Sequence, residues 1–180
     1  MKKFKKLIAV VLTVILSLSV MSVVAFASTT DSLKRTDDGT WLYMENGEHN
    51  ADYTGLVKYY DTWYYVENGE LNWNYTGPTE YYGTTYYVIK SILEWDYSSL
   101  VYVDDVWHYV ENGVYSNDYT GLTKYYGTWY YVEDGVLNWD YTGLTKYYDT
   151  WYYVEDSVLN WNYTGLTKYY DTWYYVENSV

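Results

Sequence analysis

No cysteine occurs among the 180 residues, so no disulfide braces the fold. Proline appears once, as Pro78, and phenylalanine twice; the aromatic character comes from 30 tyrosines and 10 tryptophans. Basic residues are scarce as well, with 11 Lys and Arg against 24 Asp and Glu, a net charge of −13. A chain this acidic, without a basic stripe, repels phosphates, which excludes nucleic acid as a partner. Anionic wall polymers are repelled at long range too, whereas neutral glycans and small cations are not. The acidity also keeps soluble a surface crowded with aromatics.

Only one long apolar run exists, and it lies at the start. Lys2, Lys3, Lys5 and Lys6 precede an apolar stretch from Leu7 to Val24, and Ala25-Phe26-Ala27 follows with small residues at its first and third positions. That order predicts a signal peptide over residues 1–27, cleaved after Ala27, with an uncleaved anchor as the alternative. Cleavage removes four basic residues and no acidic ones, which takes the net charge to −17. The expected product is secreted, extracellular or attached to the cell surface, with no membrane contact after signal removal. Residues 28–40 read as a short N-terminal linker and residues 41–180 as one repeat array of six to seven units.

The array is defined by a period of 22 residues. Tyr43, Tyr65, Tyr87, Tyr109, Tyr131, Tyr153 and Tyr175 form one column, and Tyr53, Tyr75, Tyr97, Tyr119, Tyr141 and Tyr163 another. A Trp column (Trp41, Trp63, Trp107, Trp129, Trp151, Trp173) is broken only by Thr85, and a Gly column (Gly55, Gly77, Gly121, Gly143, Gly165) only by Ser99. Such regularity predicts a solenoid whose units stack on their neighbours.

Within one copy, Leu122–Tyr126 and Trp129–Glu133 are rich in strand formers, and Gly127-Thr128 between them reads as a two-residue hairpin loop. Asp134-Gly135 is a second turn signal, and residues 136–142 read as the link to the next hairpin. The fold class expected is therefore all-β, a solenoid of stacked β-hairpins. The period of two puts Trp129 and Tyr131 on one strand face and Tyr130 and Val132 on the other, so both faces call for cover. Ordering 22 residues costs about 33 kcal/mol at ~1.5 kcal/mol each, which needs roughly 1,300 Å² of buried apolar surface. The seven aromatics between Trp129 and Tyr148 supply roughly 1,050–1,750 Å² if fully buried, so folding alone can absorb most of them.

Catalysis finds no support. His49 lies in a divergent leading copy, and His108 replaces a tyrosine of the Tyr64 and Tyr130 column. Carboxylate pairs such as Asp104-Asp105 and Glu133-Asp134 sit at turns repeated along the chain, whereas a catalytic acid needs one specially desolvated place. No catalytic residue, cofactor or metal is expected.

The pattern G-x-x-K-x-x-x-x-W-Y-Y-V-x-x-G, as in Gly121, Lys124, Trp129-Tyr130-Tyr131-Val132 and Gly135, resembles the cell-wall-binding repeats of Gram-positive bacteria, which include choline-binding and glucan-binding modules. The resemblance runs from Trp41 to Val180 and implies a non-catalytic hairpin solenoid that holds cell-wall polymer, polysaccharide or host glycan in pockets between hairpins. One departure bears on choline: where choline-binding repeats carry Gly-Trp, this chain has Leu56, Leu100, Leu122, Leu144 and Leu166, with Pro78 in one copy. The tryptophans Trp73, Trp95, Trp139 and Trp161 offer a replacement wall. Candidate aromatic platforms for the ligand are Trp41, Trp63, Trp107, Trp129, Trp151 and Trp173, joined by Tyr65, Tyr131 and Tyr153. Each of these tryptophans is equally open to being core, and the strict tyrosines are read as core before platform. The copy spanning Thr85 to Asp105 loses its Trp and is expected to lack a pocket. The alternative class is a self-assembling surface protein whose aromatics are all core, with a homodimer through the C-terminal hairpin open to either class.

Overall fold

A computed structural model describes residues 31–180; the expected signal peptide lies outside the described residues. Every regular element among the described residues is a strand, and each full unit supplies three. In one unit these are Gly121–Tyr125, Thr128–Glu133 and the two-residue Val136–Leu137, all antiparallel. The architecture is the expected solenoid of stacked hairpins.

Three local features differ from the sequence reading. The hairpin loop is Tyr126-Gly127, one residue earlier than Gly127-Thr128, because Tyr125 pairs with Thr128 and Lys124 with Trp129. Both loop residues have positive φ, 44° and 91°, as a mirror-image hairpin turn requires. The later loop would shift the pairing by two residues and set Lys124 opposite Tyr131, in the core place that Leu122 holds. The expected link over 136–142 begins with the short third strand. The expected linker over 28–40 holds a strand of its own, Ser32–Arg35, which pairs with Trp41–Glu45 and starts the array one hairpin earlier.

The third strand joins successive units. Val136 pairs with His108 of the unit before it, and Val158 with Tyr130. At the second turn, Ser157 N–H donates to Tyr141 O at 2.9 Å while Tyr131 N–H donates to Ser157 O at 2.8 Å, so one turn residue ties down two strictly repeated tyrosines. Gly69, Ser91, Gly113, Gly135 and Ser179 make the same pair of bonds. At Gly135 φ is 76° and an added Cβ would stand 2.3 Å from Ser116 O, which explains the glycine there. Thr120 Oγ1 accepts the Asp134 N–H at 3.0 Å and braces the same turn from outside, a bond repeated by Thr54, Thr76, Thr142 and Thr164.

Cross-strand pairing puts Leu122, Tyr131, Lys124 and Trp129 on one hairpin face and Thr123, Tyr130 and Val132 on the other. The first face packs against the second face of the next unit: Leu122 and Tyr131 form one cluster with Val154 and Leu159, with Trp129, Tyr147 and Tyr152 against it. Burying both faces in this way spreads a continuous core along the stack. Leu56, Leu100, Leu122 and Leu144 are all buried in it. Tyr141 stacks on Tyr131 with centroids 3.6 Å apart, and its hydroxyl donates to Leu144 O at 2.6 Å. Burial accordingly pushes the phenols of Tyr53 and Tyr75 up to about 12.

Candidate binding grooves between units

The staggered stacking leaves an open groove at the outer side of the junction between units, and the same groove recurs at three junctions. One, of 380 Å³, is lined by Tyr109, Glu111, Lys124 and Trp129 together with Lys146, Tyr147 and Tyr148 of the following hairpin. Another, of 570 Å³, is lined by the residues 22 positions on: Tyr131, Glu133, Lys146, Trp151, Lys168, Tyr169 and Tyr170. A third, of 520 Å³, is built by Tyr43, Glu45, Lys58, Trp63, Tyr81 and Tyr82, with Glu80 in the place of the second lysine and Asp31 added. The buried leucine that follows the strand-opening glycine, Leu56, Leu122 or Leu144, lines each of them.

Each tryptophan stands between the two roles open to it in the sequence. Trp41, Trp63, Trp107, Trp129 and Trp151 meet the strand-end tyrosine of the next hairpin edge to face, Tyr59, Tyr81, Tyr125, Tyr147 and Tyr169, with centroids 4.7–5.3 Å apart. These pairs knit adjacent units together, and the remaining ring surface of Trp63, Trp129 and Trp151 faces the groove. Trp173, in the last hairpin, is 63% exposed. Tyr65, Tyr131 and Tyr153 are different. They are buried and stacked on Tyr75, Tyr141 and Tyr163 at 3.5–3.6 Å, so one ring face of each is taken inside the protein and they belong mainly to the core, with Tyr131 also reaching the edge of a groove.

Charge of both signs enters each groove. Lys124 Nζ stands 5.9 Å from the centroid of Trp129, a cation over an aromatic face. Lys146 and Lys168 reach Asp149 and Asp171 at 3.9 and 3.5 Å on the exposed hairpin tips. Carboxylate, ammonium, hydroxyl and flat aromatic surfaces thus converge within one cleft.

The expected replacement wall lies elsewhere. Trp73, Trp95, Trp139 and Trp161 are about half exposed and meet Tyr64, Tyr86, Tyr130 and Tyr152 edge to face at 5.8–6.1 Å. Trp73 lines a separate polar groove with Glu67, Glu70 and Asn72. What the sequence reading missed is the hairpin tip: Tyr82, Tyr148 and Tyr170 each form a groove wall. The signal was present as the Tyr-Tyr doublet before each loop.

One junction lacks the three aromatics that mark the others. Where the other units have Trp, a strand-end Tyr and a tip Tyr, the junction between Gly77–Tyr81 and Ser99–Val103 has Thr85, Val103 and Asp104. Tyr115, in the column of Leu93 and Leu137, occupies space there beside Tyr87 at 6.3 Å and His108 at 5.3 Å. Its hydroxyl is buried without a partner, and burial pushes that phenol up to about 12.

Several solved structures and one family of repeats are similar to this chain. Among solved structures, choline-binding protein F from Streptococcus pneumoniae in the presence of a peptidoglycan analogue is 23% identical over 82% of this chain and 50% of its own, with a TM-score of 0.35. The same protein in complex with ipratropium is 24% identical over 82% of this chain and 48% of its own, with a TM-score of 0.36. Alternansucrase in complex with isomaltononaose is 19% identical over 75% of this chain and 10% of its own, with a TM-score of 0.38. The chain therefore spans about half of choline-binding protein F and a tenth of alternansucrase. No curated protein matches it. The choline-binding repeat matches at residues 52–72, 96–114, 118–138, 140–160 and 162–180, more than half of the chain, and the chain belongs to the choline-binding repeat family.

Proposed function

We propose that this chain is an exported, non-catalytic module that attaches to cell-wall polymer, polysaccharide or host glycan through the aromatic grooves between its units. The observation that carries this reading is the recurrence of one groove, with the same aromatics at multiples of 22 residues, around Trp63, Trp129 and Trp151. Stacking and cation–π contacts of ~0.5–2 kcal/mol per groove are weak singly. Repetition along a polymer turns them into firm attachment.

Retention on purified Gram-positive cell walls tests it, with Trp151→Ala as the probe because that ring is the most exposed of the three. The variant is expected to be retained less while its melting temperature falls only a few degrees. Unchanged retention with a lowered melting temperature would show that the ring serves the core alone.

A second reading rests on the C-terminal hairpin. Leu166 and Tyr175 are 63% and 66% exposed there, where their counterparts Leu122 and Tyr131 are buried by the next unit. A following unit of the same repeat or a second copy of the chain would cover that apolar face, and light scattering at increasing concentration without ligand tests for the homodimer.

A further inference from the structure

The hairpin tips carry a tyrosine that the turn does not need. Tyr60, Tyr82, Tyr126, Tyr148 and Tyr170 have φ between 44° and 52°, the left-handed region that bulky side chains avoid and that Asn or Gly enter cheaply. Their rings are 82–93% exposed, each edge-on to the preceding tyrosine with centroids 4.5–4.6 Å apart. Burial therefore returns little for the strained backbone. The turn also closes without the tyrosine, since Asp104-Asp105 adopts φ of 50° and 65° at the equivalent place.

The tip tyrosine and the junction tryptophan vary together. Five junctions have the tryptophan, the strand-end tyrosine and the tip tyrosine; the sixth has Thr85, Val103 and Asp104, and so lacks all three. The tip ring belongs to the groove, not to the hairpin that bears it. Strain retained at a repeated, exposed position points to contact with something outside the fold.

We infer that the tip tyrosines are ligand-contacting walls of the grooves, and that the ligand they face is a neutral glycan. Tyr148 offers a free ring face beside Trp129, suited to the flat side of a pyranose. Glu111 with Lys124 and Lys146, and Glu133 with Lys146 and Lys168, supply acceptors and donors for its hydroxyls. A bare cation would meet the ammonium of Lys124 already over Trp129, and a polyanionic chain would meet the net charge of −13. This rests on the reading of the grooves as the binding site.

The test replaces the three tips that line the grooves in the full chain, Tyr82→Asn, Tyr148→Asn and Tyr170→Asn together, beside the matching triple Phe variant. Binding is measured to isomalto-oligosaccharides, to N-acetylglucosamine oligomers and to choline. The expected result is a melting temperature for the Asn variant equal to or above that of the parent, with a loss of at least about tenfold in oligosaccharide affinity. The Phe variant is expected to keep its affinity, and choline to show no difference among the three proteins. An Asn variant that binds oligosaccharide as the parent does overturns the inference, as does one whose lost binding follows a lower melting temperature. Should the parent bind choline or whole cell walls but neither oligosaccharide, the inference falls while the grooves remain binding sites; should it bind none of them, both fall.

Discussion

Ser157 and Tyr131 hold each other by two hydrogen bonds: the Tyr131 N–H donates to Ser157 O at 2.8 Å, and Ser157 Oγ donates back to Tyr131 O at 3.1 Å. Ser157 is fully buried at φ 67°, in the turn column where Gly135 stands one unit earlier. The serine hydroxyl satisfies a carbonyl that also accepts the Asn138 N–H at 3.2 Å. Ser157→Ala should therefore cost about 1 kcal/mol. Gly135→Ala should cost more, because its Cβ would meet Ser116 O at 2.3 Å. Thermal denaturation of the two variants checks the order, and equal melting temperatures would contradict it.

Tyr115 gives an opposite sign. Its buried hydroxyl has no partner, so Tyr115→Phe removes a desolvated polar group without opening a cavity. The variant should be more stable by about 1 kcal/mol, seen as a higher denaturant midpoint at an unchanged slope.

Alkaline pH should unfold the array. Burial raises the folded-state phenols of Tyr53, Tyr75 and Tyr115 from 10 to about 12. The folded state thus holds protons that the unfolded state releases between these values, so stability is full below pH 10 and falls as pH climbs from there toward about 12. Melting curves across this range, with tyrosinate absorbance followed in parallel, should show ionisation and unfolding together. A melting temperature level through the whole range would contradict it.

Much of this architecture was legible in the sequence. The period, the strict tyrosine columns and the two turns per unit follow from spacing and turn chemistry. Tyr126 in the turn was not legible, because local propensity bars a bulky ring from positive φ, and what overrides it is the register that sets Leu122, and not Lys124, opposite Tyr131 in the core. The burial of Tyr65, Tyr131 and Tyr153 was also hidden, since a strand apolar on both faces does not say which face a neighbour covers. The short strand Val136–Leu137 is too brief to leave a pattern; one of its pairings comes from its own unit and the other from the unit before it.

The junction that lacks the three aromatics offers a gain of function. Thr85→Trp, Val103→Tyr and Asp104→Tyr together restore the side chains of the other grooves. The triple variant should be retained on cell walls more strongly than the parent, and Thr85→Trp alone should not, since its ring would lack the tyrosine that the others meet edge to face.

The central claim, that ligand enters the grooves between units, is tested most directly by nuclear magnetic resonance of the tryptophan indole N–H signals during titration with solubilised cell-wall polymer. The signals of Trp63, Trp129 and Trp151 should shift, while those of Trp73, Trp95, Trp139 and Trp161 stay in place. Shifts confined to the second set, or absent from the first while the polymer is bound, would contradict it.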